Sequence, residues 1–384
     1  MSNRKDLDCL VLKVGDVRSF QVEADAERSE QWEKRGIKPE AWRCCFKHWD
    51  GTIFLPTGQK SIDGGRTIVR HGITALGEIS ILHNMRHAET PGPEGAVFSS
   101  PDLFLALDGW VSFRAPGEYV VKSWRSVDNL QTLDREEAVL HVPGGPERQR
   151  EAGEWFGLYI TRNILRMPDG SLLATAYGHF EEDRIVPPTL AGRTETLYMT
   201  RTFVIRSTDD GRTWDYLSTV AAPTEGDPVD EGFGEPTLAL LDDGGLLCVM
   251  RTGHQRPLYA CRSEDQGRTW TDPVYTGLER GCFPCLTKLE DGRLVLTFGV
   301  RFPPGWSRIT PEGDHGRWRY PGAGLVKLAV SADGIGQDWV ETTIGEGMGT
   351  CYSTSFETEP NIVFCHVDGW YWRVMLTPRV PDAL

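Results

Sequence analysis

The sequence has no long apolar run. It opens with MSNRKDLDCLVLKVGDVRSF, in which the first basic residues are not followed by the hydrophobic stretch of a signal peptide. No segment approaches the roughly 20 apolar residues that a membrane-spanning helix requires. These absences predict a cytoplasmic protein with no membrane partner.

Basic charge is also scarce. The chain has 41 Lys and Arg against 55 Asp and Glu, which gives a formal net charge of −14. Binding to nucleic acid independently of its sequence depends on a basic face, so we exclude nucleic acid as a partner. An anionic ligand would have to meet a local cluster of arginines.

The cysteines form neither a disulfide framework nor a metal motif. The chain has nine cysteines, an odd number, and the pair Cys282 and Cys285 has no second pair at zinc spacing. His83 and His87 have helical i, i+4 spacing but lack the Glu that follows the first His in zinc proteases. We expect buried thiols, no metal and no cofactor.

Turn-forming residues, in contrast, are plentiful, with 42 Gly and 24 Pro. Asp-Gly pairs recur between apolar runs, and such pairs favour the positive φ angles of tight β-hairpins. The six Asp-Gly pairs are Asp50-Gly51, Asp108-Gly109, Asp169-Gly170, Asp243-Gly244, Asp291-Gly292 and Asp368-Gly369. Helical patterning, in contrast, is confined to one short stretch at 23–36.

A second motif repeats behind these hairpins. RSTDDGRTW at 206–214 returns as RSEDQGRTW at 262–270, with weaker copies at 126–133 and 331–339. The Asp can accept N–H groups of its own turn, the Gly supplies a permissive backbone, and the Trp covers the hairpin. Four short strands repeating every ~40–50 residues are typical of a β-propeller blade. We predict an all-β, single-domain, six-bladed β-propeller over 1–384, whose last blade is completed by an N-terminal strand that removes the open edges.

The repeated turn resembles the Asp boxes, or BNR repeats, of the sialidase (neuraminidase) superfamily. GEPTLALLDDGGLLCVMRTG at 234–253 is similar to the family stretch in which Glu-Pro begins a strand and Arg ends the next, and GTCYSTSF at 349–356 is similar to the family's Tyr-Ser-Thr stretch. The resemblance implies Tyr352 as nucleophile, Glu235 as the base that activates it, and Arg251 as a substrate-binding arginine.

The family uses two further arginines and an acid/base aspartate. The resemblance implies Arg43 as the first arginine, with Arg162 as its rival, and Arg301 as the other, with Arg317 and Arg319 as rivals. Asp63 in GQKSIDGGRT matches the acid/base position, although SIDGGRTI also reads as an Asp box. Asp63 follows Asp50 by 13 residues, whereas Asp265 follows Asp243 by 22, and so short a distance scarcely leaves room for two strands before a box. We therefore favour the catalytic loop.

The chemistry that the resemblance implies is that of a retaining exo-glycosidase. A neutral phenol can approach an anomeric carbon that carries a carboxylate, and sialidases with a Tyr nucleophile are known exceptions to the two-carboxylate rule. The expected partner is an acidic sugar or oligosaccharide, with sialic acid as the default. Two alternatives are a polysaccharide or uronate lyase, in which Tyr352, His71 or His254 abstracts a proton, and a noncatalytic glycan- or protein-binding propeller.

Overall fold

The structure is a computed structural model, and it describes residues 9–13, 45–55, 59–70, 96–132, 134–147, 157–186, 198–253, 256–300, 324–348, 352–367 and 370–377. These residues form 24 β-strands and no helix, which confirms the predicted all-β class. The stretch 23–36, predicted as a short helix, lies outside them. Within the described ranges no helix could cross a membrane.

The strands follow one another in antiparallel groups of four, and we call each group a unit. After β1 (Cys9–Lys13), unit 1 contains β2 (Phe46–Lys47), β3 (Ile53–Leu55), β4 (Gln59–Ser61) and β5 (Val69–Arg70). Unit 2 contains β6 (Val97–Ser100), β7 (Leu103–Ala115), β8 (Glu118–Ser126) and β9 (Asp134–His141). Unit 3 contains β10 (Tyr159–Arg166), β11 (Leu172–Gly178), β12 (Arg201–Ser207) and β13 (Thr213–Ala221).

The second half of the chain continues the pattern. Unit 4 contains β14 (Gly234–Leu240), β15 (Leu246–Arg251), β16 (Tyr259–Ser263) and β17 (Val274–Tyr275). Unit 5 contains β18 (Cys282–Lys288), β19 (Leu294–Val300), β20 (Gly324–Ser331) and β21 (Trp339–Met348). Unit 6 contains β22 (Ser353–Glu359), β23 (Ile362–Val367), β24 (Trp370–Leu376) and β1.

Two connections depart from a simple succession of sheets. The N-terminal strand β1 pairs antiparallel with β24, from Cys9 opposite Leu376 to Lys13 opposite Trp372, so the last unit is built from both ends of the described chain. Units 2 and 3 share one eight-stranded sheet because β13 pairs in parallel with β9.

Four of the six predicted Asp-Gly turns join the first strand of a unit to its second, at Asp50, Asp169, Asp243 and Asp291. The prediction for Asp108-Gly109 is wrong. This pair lies inside β7, at a register shift between Leu107 and Val111, because the β6–β7 turn is already made at 101–102. Asp368-Gly369 lies outside the described residues, and the turn from β22 to β23 is at 360–361.

The Asp boxes join the third strand of a unit to its fourth. In the box of unit 3, Asp209 Oδ1 accepts the N–H groups of Arg212 (3.1 Å) and Thr213 (2.9 Å). Trp214 is fully buried, and its Nε1 donates to the carbonyl of Gly211 at 3.0 Å. Gly211 has φ of 81°, and a Cβ there would collide with Leu105 of the neighbouring unit, so the turn requires glycine.

Apolar side chains fill the space between neighbouring units, while the first strands meet in the centre. One cluster joins Leu247 and Val249 of unit 4 to Leu296 and Phe298 of unit 5. In the centre, Asn163 Nδ2 on β10 donates to the carbonyls of Leu238 on β14 (3.1 Å) and Leu286 on β18 (3.0 Å). We call the end at which first strands begin and second strands end the upper rim, and the end with the Asp-Gly turns and Asp boxes the lower rim.

Candidate active site

The first strands of units 4 and 5 begin with the same irregularity at the upper rim. Glu235 and Phe283 each precede a proline, have positive φ angles of 45° and 46°, and lie where the pairing register shifts. Positive φ is strained for residues other than glycine, and such strain is concentrated at functional sites. We therefore take these two positions as the starting point of the site.

Glu235 is 6% exposed and has a defined partner for each oxygen. Its Oε1 accepts from Arg251 Nη1 at 2.9 Å, and its Oε2 accepts the backbone N–H of Phe283 at 2.8 Å. Hydrogen bonds to an ionised group are the strong ones, so these two donors fix the carboxylate in one orientation.

Arg251 ends β15 opposite Gly234 and holds a second carboxylate. Its Nη2 donates to Glu231 Oε2 at 2.7 Å, and its Nε points to the carbonyl of Gly253 at 3.4 Å. Arg251 thus forms ion pairs with two carboxylates at this rim, Glu231 and Glu235.

Tyr352 immediately precedes β22 and is 9% exposed. Its ring meets the ring of Phe283 edge to face, with centroids 4.3 Å apart. Phe283 therefore contacts both predicted residues, since its backbone N–H binds Glu235 and its ring packs on Tyr352. One residue of unit 5 thus brings the proposed base of unit 4 and the proposed nucleophile of unit 6 into one cluster.

Sequence reasoning missed Phe283, although a signal was present. Phe283-Pro284 precedes the Asp-Gly turn at Asp291 by eight residues, just as Glu235-Pro236 precedes the turn at Asp243. Alignment of the two repeats on their turns would have placed Phe283 beside Glu235 at the same level of the adjacent unit.

Arg162, predicted as a rival substrate arginine, also belongs to this cluster. It is 4% exposed on β10 of unit 3, and its guanidinium carbon lies 4.1 Å from the centre of the Phe283 ring. Its Nη1 donates to Thr354 Oγ1 of unit 6 at 2.9 Å, two residues beyond Tyr352. The side chain therefore reaches from unit 3 across the centre of the molecule.

The structure decides between the two interpretations of Asp63 in favour of the Asp box. Asp63 Oδ1 accepts the N–H groups of Arg66 (3.0 Å) and Thr67 (2.9 Å), the bonds made by Asp209 in its box. Both β3 and β4 fit between Asp50 and Asp63 because each has only three residues. Arg66 pairs with Glu359 at the lower end of β22, a strand length of roughly 20 Å from Tyr352. Asp63 thus lies at the lower rim and we withdraw it as the acid/base residue.

Asp108 is the carboxyl group that sequence reasoning missed. The N–H of the preceding residue, Leu107, donates to the carbonyl of Ala96, which lies just before β6. Because first strands begin at the upper rim, Asp108 lies at the same rim as Glu235. It is 5% exposed and accepts the N–H of Trp110 at 3.2 Å. Burial raises its pKa, against the opposing effects of that bond and of Lys122.

A row of aromatic rings leads from Asp108 towards Glu235. The ring centroids of Trp110 and Tyr159 are 4.7 Å apart, and those of Tyr159 and Tyr177 are 5.1 Å apart. A Cβ on Gly234 would lie 3.2 Å from the Tyr177 ring, so the row ends against the residue before Glu235.

Several predicted residues lie outside the described part of the chain: Arg43, Arg301, Arg317, Arg319, His71 and His254. Among the residues that are described, no group of three or more His, Cys, Asp or Glu could hold a metal ion. The six cysteines whose side chains the structure describes are buried, as expected from their strand context.

The fold and the repeated turns define an Asp-box β-propeller. A family model described as BNR repeat-like domain matches residues 110–358, more than half of the chain, and this protein belongs to that family. Among curated proteins, no sequence matches the chain significantly.

Three solved structures illustrate the likeness. A protein of unknown function from Dyadobacter fermentans is 17% identical, with a TM-score of 0.53 over 90% of this chain and 88% of its own. The Hadza microbial sialidase Hz136 is 16% identical, with a TM-score of 0.54 over 87% of this chain and 65% of its own. An α-L-arabinofuranosidase from Fusarium graminearum is 15% identical, with a TM-score of 0.47 over 74% of this chain and 80% of its own. The first two likenesses support the shared fold.

Proposed function

We propose that this protein is a retaining glycoside hydrolase that removes a terminal carboxylated sugar, with sialic acid as the default substrate. The observation that carries the proposal is the contact of Phe283 with both Glu235 and Tyr352, because it gathers a carboxylate and a phenol from different units at one rim. Similarity in fold to a sialidase adds support but does not by itself assign chemistry.

Tyr352 attacks the anomeric carbon in this mechanism. A tyrosine hydroxyl has an ordinary pKa of about 10, so it needs a base to accept its proton. Glu235 takes that role, since its bonds from Arg251 and Phe283 hold the side chain in one orientation. The covalent glycosyl–tyrosine intermediate is then hydrolysed by water with net retention.

The leaving-group oxygen must receive a proton in the first step, and we assign this role to Asp108. Burial raises the pKa of Asp108, so its carboxyl group keeps a proton to higher pH than an exposed aspartate. It lies at the upper rim with Glu235, whereas Asp63 lies at the lower rim. Arg43, Arg251 and Arg301 remain the proposed arginines for the substrate carboxylate.

The experiment compares turnover of a fluorogenic sialoside, a panel of uronic-acid glycosides and a neutral arabinofuranoside by wild type, Tyr352→Phe and Glu235→Gln. Tyr352→Phe should abolish turnover of the acidic substrate, and Glu235→Gln should lower kcat by about 10²–10⁴-fold, the usual contribution of a general base. Tyr371→Phe, a buried tyrosine of the same unit, is the matched control and should retain wild-type activity.

The other outcomes are equally informative. Turnover of the neutral glycoside alone would contradict the acidic substrate. A product that absorbs through a new conjugated double bond would identify a lyase. Carbohydrate binding that survives Tyr352→Phe, without turnover of any substrate, would identify a noncatalytic propeller.

A further inference from the structure

The backbone on both sides of the proposed base is held by threonine hydroxyls of the neighbouring unit. On the N-terminal side, Thr200 Oγ1 and Thr202 Oγ1 both donate to the carbonyl of Phe233, each at 3.1 Å. On the C-terminal side, Thr161 Oγ1 donates to the carbonyl of Pro236 at 2.8 Å. All three threonines belong to unit 3, and we call them the threonine clamp. The proposed base lies between the two carbonyls that the clamp holds.

The clamp acts where the regular sheet does not hold the chain. The pairing of β14 with β15 shifts register between Gly234 and Thr237, so the ladder is interrupted at Glu235 and Pro236. Glu235 also has a positive φ of 45°, a conformation that persists only when the surroundings enforce it. Bonds from unit 3 therefore supply the restraint that β15 does not.

The two ends of the clamp differ in how much depends on one hydroxyl. The carbonyl of Phe233 has two threonine donors, so loss of either leaves the other in place. The carbonyl of Pro236 receives its threonine bond from Thr161 alone. Thr161 is 2% exposed, and a buried polar group that loses its partner keeps the cost of its desolvation. Thr161 is therefore the member whose loss should move the backbone.

The backbone at Glu235 determines where its carboxylate lies. The φ and ψ angles set the direction in which Cβ leaves the chain, and the carboxylate lies three bonds further out. Its Oε2 accepts the N–H of Phe283 and its Oε1 accepts from Arg251. A rotation of the backbone would draw the carboxylate away from both donors and from the proton that it is proposed to accept.

We propose that Thr161 is a positioning residue for Glu235. Its hydroxyl holds the Pro236 carbonyl and so fixes the direction of the side chain that acts as the base. The inference rests on the proposed function, in which Glu235 accepts the proton of Tyr352. Thr161 acts in this role only through Glu235, so its effect should depend on the presence of that carboxylate.

The first test compares Thr161→Val, which removes the hydroxyl at nearly constant volume, with Thr161→Ser, which keeps it. Thr161→Val should lower kcat roughly 10- to 100-fold on an acidic glycoside with little change in KM, because a misplaced catalytic group costs up to about 10²-fold. Thr161→Ser should restore most of this loss. Thr276→Val is the matched control, since the buried Thr276 Oγ1 also donates to a carbonyl, that of Leu258, at 2.8 Å.

The control separates positioning from stability. Both valine variants remove one buried hydrogen bond, so both should lower the melting temperature to a similar extent. Only Thr161→Val should lower kcat. Equal kcat in the two valine variants would overturn the proposal, and so would a loss in Thr161→Ser as large as that in Thr161→Val.

A double-mutant cycle tests whether Thr161 acts through Glu235. In the Glu235→Gln background the base is already absent, so Thr161→Val should lower the remaining kcat by less than about 2-fold. The same fold-loss in both backgrounds would show that the two residues act independently and would overturn the proposal.

Hydrogen exchange gives a readout that needs no turnover. In Thr161→Val the Phe283 amide should exchange roughly 10-fold faster, the effect of weakening one hydrogen bond, because its acceptor Glu235 Oε2 is less well held. The Gly267 amide, which donates to Ser263 Oγ at 2.8 Å in the Asp box of the same unit, should not change. Faster exchange at both amides, or at neither, would overturn the proposal.

The two readouts distinguish failure of this inference from failure of the proposed function. Turnover by wild type with an unchanged kcat in Thr161→Val would overturn the inference alone. Faster exchange confined to Phe283 in Thr161→Val, in a protein that turns over no glycoside, would support the positioning of Glu235 by Thr161 and overturn the hydrolase alone.

Discussion

At the scale of single residues, Asp108 is unusual because its buried environment disfavours the ionised form of its carboxyl group. The carboxyl group is almost fully buried and receives the N–H of Trp110, yet burial dominates and raises its pKa. A group whose folded-state pKa is raised destabilises the fold at pH values above that pKa, because the folded state must hold a buried charge. A molecule that keeps such a group does so at a cost in stability, which is typical of a catalytic residue.

Asp108→Asn should therefore raise the melting temperature at pH 7. The gain should shrink as the pH falls through the folded-state pKa towards the ordinary aspartate value of about 4, where wild-type Asp108 is also neutral. Thermal unfolding of both proteins between pH 7 and pH 4 measures the effect. The control Asp102→Asn should show the opposite sign at pH 7, since its bonds to Arg166 and Ser100 hold the pKa of Asp102 at about 2.

The same variant tests the proposed proton donor. Asp108→Asn should slow release of an oligosaccharide leaving group much more than release of an acidic phenol, because a phenolate leaves without protonation. Equal losses on both substrates would contradict the assignment of Asp108 as the acid.

At the scale of elements, the repeated turns were largely predictable and their exceptions have local causes. In the boxes at 207–214 and 263–270, the Ser and Asp side chains bind backbone N–H groups of their own turn, so a local pattern predicts these bonds. Trp270 differs, since its Nε1 donates to Ser218 of the preceding unit. The short strands β3 and β4 concealed the box at Asp63, because strand length depends on packing against neighbours. The predicted turn at Asp108-Gly109 is instead a bulge inside β7, and this also depends on pairing with a neighbouring strand.

Asp63→Ala should lower stability while it leaves activity intact. Although burial opposes it, hydrogen bonds from Thr67, Ser61 and Arg66 hold the pKa of Asp63 at about 2. A lowered folded-state pKa stabilises the fold above the unfolded value near 4, and this contribution is lost as the pH falls towards 2. The melting temperatures of Asp63→Ala and wild type should therefore differ at pH 7 and converge near pH 2.

Asp128→Ala is the matched control, since the hydroxyl and N–H of Thr132 hold the pKa of Asp128 at about 2 in the box of unit 2. Both variants should lose stability to a similar extent with unchanged kcat. A selective loss of kcat in Asp63→Ala would restore Asp63 as a catalytic residue.

At the scale of the whole molecule, the candidate site exists only because distant units meet. Glu235 and Arg251 belong to one hairpin, and a local motif predicted both. Their contacts with the cluster of Phe283, Tyr352 and Arg162 depend on how the first strands of units 3 to 6 converge. No local sequence pattern predicts that convergence. The bond from Thr161 to Pro236 could not be predicted for the same reason, since it joins units 3 and 4.

The closure between β1 and β24 holds this convergence in place, because unit 6 contributes both Tyr352 and Thr354. Removal of residues 1–13 should expose the edge of β24, lower the melting temperature and promote aggregation through the unpaired strand. Removal of residues 1–8, which retains β1, is the control and should melt close to the full chain. If activity is lost in the longer deletion at temperatures where the chain remains folded, the closure also orients Tyr352. Equal melting temperatures for the two deletions would contradict a stabilising role for β1.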